Sequence, residues 1–157
     1  LSLAINSVRY SLGLRMTVSV PPRMFDLPTP QTQTDITWAN EIMLLGYDLA
    51  DTQLTLYWQP QATIPTNLRL FVQVLDAADT VLVVRDDIPQ DSVHGTRPTT
   101  SWLTGEIITT QHDLGDLSAG DLSVLVGFYD PLTGERVRLL ETAADAYRVD
   151  LATLEVR

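Results

Sequence analysis

Apolar residues recur at every second position along much of this chain, which is the pattern of pleated β-strands. The clearest case is residues 122–129, in which one face would carry Leu122, Val124, Val126 and Phe128. The opposite face, with Leu125 and Tyr129, is also largely apolar. A strand that is apolar on both faces is expected in the interior of a sheet.

The residues after this strand predict a tight reversal. Asp130 can accept hydrogen bonds from backbone N–H groups ahead of it, and Pro131 fixes φ at the second turn position. Gly134 can take the positive φ that a hairpin loop with a bulge commonly needs. The alternation resumes at Val137, so residues 122–138 are predicted to form a central hairpin with a returning strand.

Further alternating runs are separated by short polar turns. They cover residues 41–50, 54–61, 68–76, 80–87, 106–114, 147–151 and 153–156. In the first run, Ile42 and Leu44 are assigned to one face and Tyr47 to the other. The one helical candidate, residues 141–147, is long enough for a turn or two. About eight strands at this spacing predict an all-β fold, an antiparallel two-sheet sandwich of immunoglobulin-like or jelly-roll-like type.

Prolines divide the chain into three parts. Residues 1–20 are predicted to be an upstream tail or one or two short strands. Residues 21–35 contain four prolines and are predicted to be a linker or an arm along a sheet edge. The sandwich domain is expected to span residues 36–157.

Composition narrows the possible partners. The net charge of −10 disfavours nucleic acids and anionic membrane surfaces, because both attract cationic proteins. Asn6, Arg9 and Arg15 interrupt the apolar opening of the chain, so this fragment is not expected to insert directly into a membrane. The chain contains no cysteine, which excludes disulfides and thiolate zinc sites.

Few residues could carry catalysis. Neither His94 nor His112 is accompanied by a nucleophile elbow or by the paired-histidine spacing of a metal site. We therefore expect no enzyme activity, no cofactor and no metal. Asp86, Asp87 and Asp91 lie close together and could hold calcium through carboxylate oxygens. Solvated turns are the favoured interpretation, because aspartate is the usual turn residue.

Residues 88–101 form a long polar connection without periodicity, and such loops are often functional. Trp102 closes this connection. An exposed indole there could stack on a sugar ring, with Asp86, Asp87 and Arg97 hydrogen-bonding its hydroxyls. These four residues are the candidate ligand-binding set. The alternative, which we expect, is that Trp102 plugs the end of the core.

Several short blocks occur in one order along the chain. They are GYDL, LTLYWQ, LFVQVLD, VVRDDIP, PTTSW, GEII and VGFYDPLTGERV. In this order they resemble the β-sandwich domain that follows the membrane-spanning part of bacterial integral-membrane glycosyltransferases of the dolichyl-phosphate-mannose mannosyltransferase type. The resemblance covers residues 41–156. The chain departs from that family at Gln73, where the family often has histidine, and in a longer loop at residues 87–102.

The resemblance implies a non-catalytic, extracytoplasmic accessory domain on the cell-surface side of a bacterial membrane. Its partner would be the rest of its own membrane-anchored chain, with residues 21–35 as the link to the last membrane helix.

Two other functions stay open. A carbohydrate-binding module would need an exposed aromatic, Trp102, Tyr57 or Tyr129, beside polar groups, and its partner would be a glycan. A structural protein–protein interaction domain would show an apolar patch or an unpaired edge strand. A hydrolase ranks third.

Overall fold

The computed structural model describes residues 7–9, 15–17, 21–39, 41–118 and 120–151. These residues contain twelve β-strands and one short 3-10 turn. In chain order the strands are β1 (Ser7–Arg9), β2 (Arg15–Thr17), β3 (Thr32–Trp38), β4 (Ile42–Ala50), β5 (Gln53–Pro60), β6 (Arg69–Leu75), β7 (Val81–Asp87), β8 (Gln90–Asp91), β9 (Gly95–Thr96), β10 (Ile108–Asp113), β11 (Ser123–Tyr129) and β12 (Tyr147–Asp150). The 3-10 turn, Thr99–Ser101, lies between β9 and β10.

The strands form two large antiparallel sheets and one small hairpin. The first sheet has six strands in the order β3-β4-β5-β10-β8-β9, and the second has four in the order β12-β11-β6-β7. β1 and β2 make a separate hairpin. The predicted all-β sandwich is confirmed, with about ten strands in its two sheets. The two-residue strands β8 and β9 are too short to show the alternation on which the prediction depended.

Side chains from the inner faces of both sheets form one core. The predicted inner face of β11 is confirmed, because Val124, Val126 and Phe128 are fully buried, and β11 lies between β12 and β6. The Phe128 ring packs edge-on against Trp38 and Trp58, at centroid distances of 5.7 and 4.9 Å. These rings join the two sheets through the favoured geometry of aromatic pairs.

A β-bulge in β4 changes the predicted alternation. The pairing of β4 with β5 shifts register between Leu44 and Gly46, which inserts one extra residue into β4. Tyr47 therefore lies on the buried face with Ile42 and Leu44. The assignment of Tyr47 to the opposite face is wrong, because strict period-2 counting does not include a bulge.

The reversal after β11 forms the predicted turn. Asp130 accepts a hydrogen bond from the N–H of Leu132 at 2.8 Å, and Gly134 has a φ of +75°. The predicted returning strand is wrong, since the return pairs with β11 at one bridge only, between Tyr129 and Arg136.

The chain then leaves β11 and pairs with the edge of β3. Leu139 forms a bridge with Trp38, and the N–H of Leu140 donates to the Thr37 carbonyl at 2.8 Å. β12 occupies the position beside residues 123–126 of β11 that a hairpin partner would take. Residues 136–140 therefore close one side of the sandwich instead of extending a sheet.

The proline-rich segment 21–35 is partly sheet and partly a docked arm. β3 begins at Thr32, inside that segment, so the first sheet starts before residue 36. Pro30 is buried, and a Cβ on Gly46 would lie only 2.5 Å from the Pro30 Cγ. Glycine at this position therefore lets the arm approach the backbone of β4.

The remaining predicted elements lie toward the two ends of the chain. Residues 141–146 form bends and no helix. The strand predicted at residues 153–156 lies outside the described residues. Of residues 1–20, the structure describes the two short strands β1 and β2, which agree with the predicted short strands.

One long sheet edge carries exposed apolar side chains. β7 pairs with β6 on one side and with no other strand among the described residues. Val81, Leu82 and Val84 of this strand are 45%, 45% and 50% exposed. Arg85 and the two aspartates that follow it occupy the other half of the edge.

His112 belongs to a polar chain at one end of the core. The indole N–H of Trp58 donates to the Thr110 hydroxyl at 2.9 Å, and that hydroxyl lies 2.8 Å from Nε2 of His112. Burial lowers the pKa of His112 from 6.5 to about 4, because an apolar environment disfavours the charged imidazole. His112 is therefore neutral in the folded protein near pH 6.

We expect acid to destabilise the fold through His112. The folded-state pKa lies below the unfolded value, so this contribution is present above pH 6.5 and lost as the pH falls toward 4. Its full size is roughly 3 kcal/mol. Urea unfolding of wild type and His112→Gln should show the free-energy difference changing across this range. Parallel pH profiles for the two proteins would contradict the assignment.

Candidate functional site

The structure divides the four predicted ligand-binding residues between two places. Asp86 and Asp87 lie at the exposed end of β7. Arg97 and Trp102 lie in the long connection and contact each other, because the Trp102 indole N–H donates to the Arg97 carbonyl at 2.9 Å. The four residues therefore do not form one site.

Trp102 occupies the position of a core plug. It is 3% exposed, and its ring lies edge-on to Phe128 at a centroid distance of 6.3 Å. An indole buried in this way has no free face on which a sugar ring could stack.

The long connection instead encloses a network of buried charges. The Arg97 guanidinium contacts both carboxylate oxygens of Glu106, at 3.0 and 2.9 Å, and Oδ2 of Asp91 at 3.4 Å. The exposed fractions of these side chains are 9% for Arg97, 0% for Glu106 and 3% for Asp91. Charges this deeply buried require partners of opposite sign.

Glu106 is the centre of this network. Its carboxylate also accepts the Leu103 N–H at 3.1 Å and the guanidinium of Arg23 at 2.9 Å. Burial alone would raise the pKa of Glu106, but the Arg97 hydrogen bonds, the Leu103 N–H and both guanidiniums together lower it. Glu106 is therefore a carboxylate at neutral pH despite its burial.

Local turn chemistry brings these side chains together. β8 and β9 form a short hairpin, in which Oδ1 of Asp91 accepts the Val93 N–H at 3.1 Å and Gly95 has a φ of +73°. This reversal places Arg97 beside Asp91. The 3-10 turn that follows then presents Ser101, whose hydroxyl accepts from Arg97 Nε at 3.3 Å.

The network also holds the arm, residues 21–30, against the domain. Arg23 donates to the Ser101 carbonyl at 3.1 Å as well as to Glu106. The N–H of Ile107 donates to the Met24 carbonyl at 2.7 Å. At the far end of the arm, Oδ1 of Asp48 accepts the Gln31 N–H at 2.6 Å.

Sequence reasoning missed Arg23 and Glu106. The two residues are 83 positions apart in the chain, and the alternating pattern assigns Glu106 to the start of a strand. The sequence feature that indicated this region was the long connection at residues 88–101. It predicted a ligand-binding site, whereas the structure has a buried charge network there.

His94 lies beside this network with both ring nitrogens engaged. Nδ1 is 2.7 Å from Oδ2 of Asp91, and Nε2 is 3.0 Å from the carbonyl oxygen of Pro21. A carboxylate on Nδ1 is the arrangement that orients a catalytic histidine. Here, however, Nε2 contacts a backbone carbonyl, and the hydroxyl of Ser101 donates to the Pro98 carbonyl at 2.7 Å. These contacts hold the arm, and within the described part of the chain no serine hydroxyl is hydrogen-bonded to His94.

The three aspartates considered for calcium have separate partners. Asp86 accepts from Tyr129, Asp87 from Arg69, and Asp91 from Arg97. Among the described residues, no three His, Cys, Asp or Glu side chains lie close enough to hold a metal ion. Asp76 is a turn residue, since Oδ1 accepts the N–H groups of Ala78 and Thr80, both at 2.9 Å.

A second polar surface lies on the outer face of the four-stranded sheet. The Tyr129 hydroxyl is 2.7 Å from each carboxylate oxygen of Asp86, and this hydrogen bond raises the pKa of Tyr129. Arg69 pairs with Asp87 nearby at 3.2 Å, and both of these side chains are exposed. This face therefore combines a partly exposed phenol with exposed carboxylates and a guanidinium.

Comparisons with protein-family models, with curated proteins and with solved structures gave no match for this chain. Within the part of the chain that the structure describes, no helix has the length and hydropathy of a membrane span.

We expect Glu106→Gln to destabilise the domain by about 3–5 kcal/mol, because it removes the negative charge between two guanidiniums, one of them buried. The control is Asp87→Asn, which breaks an exposed pair and should cost less than about 1 kcal/mol. Urea unfolding at neutral pH measures both values. Equal small losses in the two variants would show that the buried network contributes little to stability.

Proposed function

We propose that this chain contains a non-catalytic accessory domain of a larger, membrane-anchored protein, located on the extracytoplasmic side of a bacterial membrane. The observation that carries the proposal is the docking of the arm. Arg23 and Met24 bind the domain through a buried carboxylate and a backbone N–H, and Pro30 packs on Gly46.

A docked arm supports this function because it fixes the orientation of the domain relative to residue 21. A domain on a flexible linker samples many directions relative to the chain that precedes it. An arm fixed at both ends gives the domain one direction relative to residue 21. Such fixation is useful for a module whose partner is the rest of its own chain.

The order of sequence blocks along residues 41–156 supports the same proposal. The net charge of −10 agrees with a domain held away from an anionic membrane surface. We include an immunoglobulin-like or jelly-roll-like strand arrangement in this proposal, because the connections β5–β6 and β10–β11 both cross between the sheets.

The cellular location of the domain tests the proposal that it is extracytoplasmic and membrane-anchored. An antibody against the domain should detect a membrane-bound polypeptide larger than 17.4 kDa in the cells that produce it. Protease added outside intact spheroplasts should remove the epitope while a cytoplasmic marker survives. A protease-protected product in the cytosol would contradict the proposed location.

A second candidate function, carbohydrate binding, is favoured by the surface around Tyr129. Its ring lies beside Phe71 at a centroid distance of 6.4 Å, and its hydroxyl is fixed by Asp86. Arg69 and Asp87 supply a further donor and acceptor. An aromatic ring among oriented polar groups is the usual composition of a sugar site. This proposal retains Asp86 and Asp87 from the predicted set and replaces Trp102 with Tyr129 and Arg97 with Arg69.

A glycan array tests this second candidate. If the wild-type domain binds a glycan, Tyr129→Ala should abolish binding with little loss of stability, and Phe25→Ala, an exposed aromatic on the arm, should leave binding unchanged. Trp102→Ala should instead cost about 3–5 kcal/mol by emptying a core position. A blank array for the wild-type domain, or binding that survives Tyr129→Ala, would remove this candidate.

A further inference from the structure

His94 makes two contacts that a neutral imidazole cannot make together. Its Nδ1 faces the Asp91 carboxylate at 2.7 Å and its Nε2 faces the Pro21 carbonyl at 3.0 Å. A carbonyl and an ionised carboxylate only accept hydrogen bonds, and a neutral imidazole has only one N–H. Both contacts are hydrogen bonds only when the ring carries both protons.

The other partners of Asp91 favour its ionised form. The Val93 N–H donates to Oδ1 at 3.1 Å, and Arg97 donates to Oδ2 at 3.4 Å. A carboxylate that accepts from a backbone N–H and a guanidinium is stabilised as the anion. The proton between His94 and Asp91 therefore belongs to the imidazole.

Loss of one proton from His94 would break one specific contact. Asp91 is 3% exposed, so an imidazole lone pair facing its carboxylate would place a buried acceptor against a buried anion. The remaining proton therefore stays on Nδ1. Nε2 then presents a lone pair to the Pro21 carbonyl oxygen, and these two acceptors repel each other.

We propose that His94 is a pH-dependent clasp for the start of the arm. The imidazolium holds the Pro21 carbonyl, and the neutral imidazole releases it. The clasp acts on the attachment of the arm, whether or not the protein is anchored in a membrane.

The charged groups around the clasp are those of the buried network. Asp91 on β8 favours the imidazolium, and Arg97 after β9 opposes it through their shared oxygen Oδ2. Arg23 on the arm and Glu106 before β10 pair with each other at 2.9 Å. The two carboxylates and two guanidiniums balance each other in charge, so the imidazolium of His94 adds one positive charge to this group.

Release would be confined to the first residues of the arm. The bonds of Arg23 to Glu106 and of Met24 to Ile107 involve a guanidinium, an ionised carboxylate and backbone groups, none of which titrates near neutral pH. The last fixed point of the arm therefore moves from Pro21 to Arg23.

NMR of the uniformly labelled 157-residue chain between pH 5 and 9 tests the clasp. The ring nitrogen shifts of His94 report its protonation, and NOEs between its ring protons and Pro21 report the contact. We expect both nitrogens to be protonated at the acid end. The Pro21 NOEs should disappear, and the amide chemical shift of Arg23 should change while its heteronuclear NOE stays constant, in step with loss of the proton from Nε2.

Two references make the experiment specific. His112, whose pKa is about 4, should stay neutral throughout this range. His94→Gln should abolish the pH-dependent step at Arg23, with near-ultraviolet circular dichroism confirming the fold. A His94 that keeps one charge state across the range, or that titrates without loss of the Pro21 NOEs, would overturn the proposal on the wild-type chain alone.

Discussion

The arrangement of this domain depends on one buried carboxylate enclosed by two guanidiniums. Glu106 is wholly shielded from solvent, and an unpaired carboxylate in that position would be protonated or expelled. Arg97 and Arg23 prevent this, and because they come from distant parts of the chain, they fix the long connection and the arm to each other. Ion pairs of this kind are directional, since a guanidinium binds a carboxylate in few geometries. The arm therefore has one position on the domain, whereas an apolar contact alone would tolerate sliding.

The two kinds of buried contact serve different purposes. The core around Trp38, Trp58 and Phe128 joins the sheets through apolar burial, which is the main source of folding free energy. A buried ion network often adds little beyond what well-packed apolar residues of similar volume would supply. We infer that the main role of the network is to define the orientation of the arm on the domain. That inference agrees with its location, since Arg23 of the arm pairs there with Glu106 of the domain.

The sequence predicted the parts of the fold that local chemistry decides. Alternation identified β11 and its buried face, and glycine and aspartate identified the turn at Gly134. The errors arose where the structure depends on contacts between residues that are distant in the chain. The bulge in β4 moved Tyr47 to the buried face, and β12 displaced the strand expected to return along β11. The same limit applies to the candidate site. Trp102 and Arg97 were predicted as ligand-binding residues, but the partners of Arg97 in the buried network, Glu106 and Arg23, are identified only in the folded structure.

The exposed edge of β7 has a consequence for how the domain behaves in concentrated or partly unfolded states. Val81, Leu82 and Val84 form an exposed apolar edge, and such edges can recruit additional strands. Arg85, Asp86 and Asp87 follow them directly and act as gatekeepers, because any added strand would have to match or desolvate three successive charges. The apolar half of the β7 edge therefore favours pairing with another strand, and the charged half disfavours it. A chain that already carries ten more negative than positive charges has a further safeguard, since mutual repulsion keeps such edges apart at low ionic strength.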